Sequence, residues 1–421
     1  MINQSKPNSS RTIFAWALYD FANQPFATLI ITFIYATFFT EVIAPDPVTG
    51  TVIWSHGITI TGILVAVLSP WFGALADQGG YRRFFLVFWT WITIGGSLAL
   101  YWIEPGQVHA AIFWIIIANT GFEMGTVFCN AYLPEIAPPD RIGRISGYGW
   151  SFGYVGGLLA LVLALVFLVK PDMPLWGLLP DQEHGVRATT LLVAIWFAVF
   201  SIPTFLFLPV KVPKSPLSGS TLTASWHQLA STFRNLLQYR SVAWLLLARL
   251  FYNDGLITVF AFGGIYAAGT FGFTREDIFL FGIVLNITAG MGAFLLGFLD
   301  DWIGSKRTIQ ISNVGLILAI LLAVLSPERI WFWVAGIIIG ICSGPNQASS
   351  RALLARLVPA EKQNEFFGFF AFSGKATSFM GPFLLGTVTA LTGSQRWGVA
   401  TILLFIIPGI ILLRNVVEEK S

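Results

Sequence analysis

The chain has 421 residues, of which 55% are hydrophobic and only 11% charged, with a formal net charge of +3. A soluble domain carries about 25% charged residues, so this composition excludes an ordinary water-soluble protein. The apolar runs are continuous rather than alternating, which excludes an outer-membrane barrel.

A bilayer core takes about 20 apolar residues per helix. By that ruler the chain holds twelve spans, centred near residues 28, 62, 94, 121, 157, 198, 254, 288, 317, 341, 378 and 404. The first follows a polar leader with Lys6 and Arg11 and is interrupted by Asp20, so no cleavable signal peptide is expected. With the N-terminus cytoplasmic, 17 Lys and Arg fall on the inner face, Arg351 and Arg356 among them, and 5 on the outer; Arg249 and Lys375 lie within spans. The positive-inside rule then puts both termini in the cytoplasm. The longest inner connection, 211–240, starts Pro- and Ser-rich. Trp226, Leu229, Phe233 and Leu236 then recur at helical spacing, which predicts a helix lying in the interface.

Two turns repeat. "GALADQGGYRR" (73–83) and "GFLDDWIGSKR" (297–307) pair Gly73 with Gly297, Asp77 with Asp301, Gly80 with Gly304 and Arg83 with Arg307 at an offset of 224. Arg82 and Lys306 precede the last pair. "APPDRIGRISGYGWSFG" (137–153) matches "VPAEKQNEFFGFFAFSG" (358–374) at an offset of 221, with Gly147 on Gly368. The chain is therefore read as two duplicated halves: a six-helix bundle over 1–210, a cytoplasmic linker over 211–240 and a second six-helix bundle over 241–421. At the turn, glycine permits a tight reversal, the acid suits a helix N-terminus, and Arg82 and Arg83 are expected at the water and headgroup level.

This turn resembles the signature of the major facilitator superfamily. Gln78 and Trp302 stand where that family usually has a base, so one charge of the motif is missing from each copy. The resemblance implies an all-α membrane protein of twelve transmembrane helices in two pseudo-symmetric six-helix bundles. It also implies a cytoplasmic gate formed by Gly73, Asp77, Gly80, Arg82, Arg83, Gly297, Asp301, Gly304, Lys306 and Arg307.

Charges inside spans need their own reason, because each costs about 2.5–3.5 kcal/mol even on lenient insertion scales. At 1.5 Å per residue, Asp20, Glu123, Arg249, Asp254 and Lys375 come out roughly 12 to 20 Å into the slab, which predicts one shared polar cavity near the midplane. The amides Asn23, Asn119, Asn253, Asn346 and Gln347 lie on the same spans and join that expected site. The plainer alternative is ion pairing that fixes helix packing, above all between Arg249 and Asp254.

Other patterns carry no chemistry. "GYGWSFGYVGG" (147–157) follows no strand, and Gly149, Gly153 and Gly157 fall every four residues, as in close helix packing. Cys129 and Cys342 form no CxxC pair, and the four histidines lack metal spacing. No enzyme, metal, cofactor or nucleic-acid partner is expected.

"LYDFANQPFAT" (18–28), "NAYLPEIA" (130–137), "GRISGYGWSFGYVGG" (143–157) and "EFFGFFAFSGKATSFMGP" (365–382) are similar to the branch that holds the autophagy-related vacuolar amino-acid effluxers and their bacterial relatives. Phe21 and Gln24-Pro25 depart from that branch beside Asp20. The resemblance implies a secondary transporter of a small, amino-acid-like solute working by alternating access, in contact with membrane lipids and in a bacterial cytoplasmic membrane. Lys375 or Arg249 would meet a carboxylate and Asp20 or Glu123 an ammonium, with Glu123 the expected carboxylate for proton coupling. The rival readings are a lipid or drug exporter, favoured by 15% aromatic content, and a receptor that moves nothing.

Overall fold

The computed structural model describes residues 9–170, 181–210 and 219–418. Lys6, Lys211, Lys214 and Lys420 of the charge count, and the Pro- and Ser-rich start of the linker, lie outside the described residues.

The described residues are almost wholly helical. The first half contributes α1 (Ser10–Ile43), α2 (Pro47–Gly79), α3 (Arg82–Leu100), α4 (Val108–Ile136), α5 (Pro139–Val169) and α6 (Gln182–Phe207). A linker helix, α7 (Gly219–Arg234), follows. The second half holds α8 (Arg240–Phe271), α9 (Arg275–Ile303), α10 (Ser305–Leu325), α11 (Arg329–Leu357), α12 (Gln363–Lys375) and α13 (Met380–Thr392). Last comes α14 (Gln395–Leu413). Ten helices among the described residues are long and apolar enough to cross a membrane. The other two expected spans fail that test for physical reasons. α11 is apolar only over 330–344 and then reads "PNQASSR" (345–351), most of it buried against protein rather than lipid. The span near 378 is broken over 376–379 into α12 and α13, of 13 residues each, and 13 residues reach only about 20 Å.

Helix ends are capped by the residues the sequence supplies. Asp46 Oδ1 accepts from Val48 N at 3.0 Å and Thr49 N at 2.9 Å, with Pro47 at the first helical position, where its missing N–H costs nothing. Those amide bonds hold the Asp46 carboxyl below the ordinary carboxylate range. Thr274 and Asp277 cap α9 reciprocally. The repeated turns carry Gly80 at φ +75° and Gly304 at φ +97°, a region in which a side chain is strained. Pro25 cannot donate to the α-helical ladder, and beyond it α1 continues as π-helix over Phe26–Phe33. Outward faces bear Ile63, Trp91, Phe113, Ile195, Leu318 and Leu404, all exposed, as hydrocarbon requires.

α7 carries Trp226 and Phe233 exposed, while Leu229 packs on the core. It lies against α2, and Gln228 Nε2 donates to Glu365 Oε2 at 2.7 Å. The linker helix therefore touches both halves. The side chain of Leu236 lies outside the described residues.

The halves meet through α2 on α12 and through α5 on α9 and α11. Gly147 sits on the carbonyl of Ala293 in α9, and its repeat mate Gly368 sits on the carbonyl of Ser69 in α2. No side chain fits at either place without separating the helices. Gly147→Val and Gly368→Val are each expected to pry the halves apart at this end, read as faster maleimide labelling of a cysteine placed at Ser69 or Ala348 in a cysteine-free background.

Candidate functional site

The two halves enclose a cavity of about 1130 Å³, its open mouth included. α1 and α4 bring Asp20, Asn23, Gln24, Glu123, Thr126 and Asn130; α8, α11 and α12 bring Arg249, Asn253, Gln347, Arg351 and Lys375. Helical spacing explains which side chains arrive. Arg249 and Asn253 share one face of α8, Glu123, Thr126 and Asn130 one face of α4, and Gln347 and Arg351 one face of α11.

Seven of the ten expected cavity residues line this void: Asp20, Asn23, Glu123, Arg249, Asn253, Gln347 and Lys375. Three do not. Asp254 follows Asn253 by one residue, about 100° round the helix, and faces α13, where Gly381 N donates to its Oδ2 at 3.2 Å. The Arg249–Asp254 pairing, the alternative to a cavity role, therefore does not form. Asn346 turns to α10 and donates to Asn313 Oδ1 at 2.9 Å. Asn119 is buried one turn before Glu123, outside the lining.

The charges are segregated. Both lining carboxylates belong to the first half and all three cations to the second. Arg351 Nη1 meets Asp20 Oδ2 at 2.9 Å, and Lys375 Nζ meets Glu123 Oε1 at 2.6 Å. Both ion pairs bridge the halves. Arg249 has a different environment: its Nη1 donates to Phe370 O at 2.8 Å and Ser373 Oγ at 3.1 Å, and its guanidinium lies 3.7 Å from the Phe370 ring centroid. Its Nε makes no hydrogen bond. The cavity thus holds one more cation than anion.

Arg351 was counted above as an inner-face charge, and the structure corrects this. It is 3% exposed, because α11 continues to Leu357 and carries it within protein. It donates to Asp20, to Asn130 Oδ1 at 2.8 Å, to Ser146 Oγ at 2.9 Å and to Ser146 O at 2.7 Å. The signal was available, since the 221 offset sets Arg351 on Asn130, a charge without an echo whose side chain meets its own repeat mate.

The motif residues form a second cluster at the end where the halves touch. Asp77 Oδ1 accepts from Asn364 Nδ2 at 2.6 Å and Asn364 N at 3.2 Å, and Oδ2 from Glu365 N at 2.8 Å. Asp301 accepts from Gly143 N at 2.8 Å, Arg144 N at 3.3 Å and Arg144 Nε at 2.6 Å. Asn364 and Glu365 are the repeat mates of Gly143 and Arg144. Each motif acid therefore sits on the N-terminus of a helix in the opposite half, where the helix dipole favours an anion. Gly73 lies under the Asn364 backbone, and Gly297 against Arg144 and Gly147.

The bases do not follow that symmetry. Arg82, expected at headgroup level, is 7% exposed; it spans the interface to Asn364 Oδ1 at 2.9 Å and Gln363 Oε1 at 2.8 Å, and within its own half it meets Glu135 Oε2 at 3.1 Å. Lys306 instead donates to the carbonyls of Arg414 and Val416 at 2.8 and 2.6 Å. Arg83 is half-buried and Arg307 exposed.

A second cavity, of about 450 Å³, lies within the second half among Phe262, Tyr266, Phe281 and Phe332. No charged side chain lines it, so it is set aside as the site.

These features define a transporter of the major facilitator fold. The crystal structure of the major facilitator transporter FucP in the outward conformation superimposes with a TM-score of 0.75 at 11% identity, over 97% of this chain and 98% of that one. The family model "Vacuole effluxer Atg22 like" matches residues 48–421, and the chain belongs to that family. It is 25% identical over 412 residues to YxiO, an uncharacterized MFS-type transporter of Bacillus subtilis, covering 97% of this chain and 95% of that protein. To autophagy-related protein 22 of Cryptococcus neoformans it is 26% identical over 300 residues, 66% of this chain and 51% of that one. The chain thus spans about half the length of that fungal relative. Its relatives are membrane transporters and not enzymes.

Removing one partner of a buried ion pair costs about 3–5 kcal/mol. Asp20→Asn, which strands Arg351, is therefore expected to lower the thermal midpoint in detergent far more than Glu123→Gln, whose half-exposed pair is water-screened. Asp77→Asn should leave the protein folded and inserted while raising labelling at the motif end.

Proposed function

We propose that the protein carries a small solute bearing a carboxylate, best fitted by an amino acid, across a membrane by alternating access with proton coupling. The observation that carries this reading is the unbalanced cavity: Arg249, buried beside the void, has no carboxylate among its described hydrogen-bond partners. A buried cation is costly unless paired, and a substrate carboxylate supplies the missing charge. The Glu123–Lys375 pair, with side chains 20% and 31% exposed, opens on the void and separates to take a zwitterion. Glu123 receives the ammonium, and Lys375 and Arg249 the carboxylate. Amino-acid cargo also suits kinship with the family described as vacuole effluxers.

The arrangement is that of a carrier closed at the motif end, consistent with its likeness to FucP in the outward conformation. The halves 1–210 and 241–421 rock about the cavity, with the linker helix tethering them. Asp77, Asp301 and Arg82, with the glycines that let the helices touch, form the gate. The distribution of bases favours both termini on the cytoplasmic side, and near end-to-end alignment with a Bacillus protein favours a bacterial cytoplasmic membrane.

Counterflow in proteoliposomes preloaded with single neutral, acidic and basic amino acids tests this. Wild-type protein should exchange at least one class. Lys375→Ala and Glu123→Gln should each cut exchange about tenfold or more, the equivalent of losing one charged hydrogen bond worth about 1.5–3 kcal/mol. Wild-type rates in both variants would remove the assignment, and exchange of none of the amino acids would favour the lipid or drug reading.

A further inference from the structure

Of the five charges expected near the midplane, Asp254 is the one that does not line the cavity. It is 1% exposed and sits in the middle of α8, facing the break between α12 and α13. Oδ2 accepts from Gly381 N, in the first turn of α13, at 3.2 Å. Oδ1 makes no hydrogen bond. Thr258, one turn along on the same face, spends its only hydroxyl proton on the carbonyl of Asp254 at 2.8 Å. Towards the carboxyl it therefore offers lone pairs alone. Gly381 is pressed against both Thr258 Oγ1 and Asp254 Oδ1, and no side chain fits there.

Among the described residues, the buried charged groups on the elements packed against α8 are engaged elsewhere: Glu365 on α12 accepts from Gln228, and on the half-exposed side Arg329 of α11 pairs with Asp277 of α9. Lys375 on α12 holds Glu123, and Arg351 and Arg356 on α11 hold Asp20 and Asp300. Arg396 on α14 bonds the carbonyls of Val324 and Ser326, and Arg249, on α8 itself, bonds Phe370 and Ser373. On α9, Asp300 and Asp301 are tied to Arg356 and Arg144. Of the tyrosines of α8, Tyr252 bonds Ser350 and Tyr266 the carbonyl of Ala323; Cys342 of α11 packs on Gly315 of α10.

We infer that Asp254 is a proton-binding site which sets the position of α13, and with it the hinge that carries Lys375 into the cavity. A proton fits better than a metal ion. One carboxyl oxygen is already taken by an N–H donor, and no group of metal-ligating side chains occurs among the described residues. The neutral acid fits the bare Oδ1, which would otherwise be a lone buried charge. The ionised form grips the α13 N-terminus more strongly, through a charge-assisted bond and the helix dipole. The second stitch at this break, Thr377 Oγ1 to Leu250 O at 2.9 Å, does not titrate. Ionised Asp254 therefore clamps α13 to α8, and proton uptake loosens it. Lys375, the last residue of α12, is six positions before the first turn's Gly381, so the clamp and the substrate-facing cation share one hinge. The inference rests on the reading of the chain as a proton-coupled carrier and assigns that proton to α8 rather than to Glu123, which is held by Lys375.

Amide hydrogen exchange of residues 376–385 in nanodiscs, corrected for intrinsic rates, tests it without any solute. Between pH 8 and pH 5, protection of the wild-type segment should fall by about tenfold, the difference between a charged and a neutral hydrogen bond. Asp254→Asn should be weakly protected and flat across that range, Asp254→Glu should keep the pH dependence, and Glu123→Gln should keep it too. Sodium at fixed pH should change nothing. A flat wild-type profile overturns the inference even if Asp254→Asn fails to fold, as does a wild-type profile retained in Asp254→Asn or a response to sodium alone. Counterflow reports separately on the transport reading, so the two can fail independently.

Discussion

The structure turns on a guanidinium that belongs to one half and is solvated by the other. Arg351 leaves α11 and spends four of its bonds on Asp20, Asn130 and Ser146, all first-half residues. Rings of Trp16 and Trp150 lie 4.7 and 5.8 Å from it. Removing so many of these partners from a buried cation is prohibitive, so α11 is bound to α1, α4 and α5 while this state lasts. The cavity floor is that contact. Above it, the Glu123–Lys375 pair and the free face of Arg249 inherit their spacing from where Arg351 fixes the helices.

The motif cluster closes the same end by different means. Asp77 and Asp301 each borrow backbone amides from the opposite half, and glycine contacts beside them allow the approach. These bonds are directional yet replaceable by water, so the contact is tight without being permanent. The second copy carries a brace of its own. Glu418 caps the start of α10, accepting from Ser305 N at 2.9 Å and Lys306 N at 2.8 Å, and also meets Arg356 at 3.2 Å. This explains why Lys306 does not imitate Arg82: its ammonium is drawn to the carbonyls of the C-terminal segment.

Much of this was legible beforehand because it depends on period and offset. Hydropathy located the ten helices that are long and apolar enough to cross a membrane, and the 224 offset located the paired acids. Charges without an echo led to Asp20, Glu123, Arg249 and Lys375, which share one void. The failures concern direction and ends. Asp254 and Asn346 are single residues away from lining positions, and 100° of helical rotation sends them to other neighbours. Hydropathy marks where lipid stops, not where a helix stops, so Arg351 was assigned to the inner face although its helix carries it within protein. Arg82 was read as solvated because the sequence does not reveal that Asn364 and Gln363 await it across the interface.

Segregation of the lining charges has a consequence for how such a chain comes to exist. An unassembled first half would hold two acids in hydrocarbon, and an unassembled second half three bases, with nothing to neutralise either set. Neither is a self-sufficient unit, despite the internal repeat. Their electrostatics close only when synthesis has delivered α12 and the halves dock, so membrane assembly must finish as a joint event. The repeated halves are thus alike in backbone and opposite in the charge each brings to the cavity.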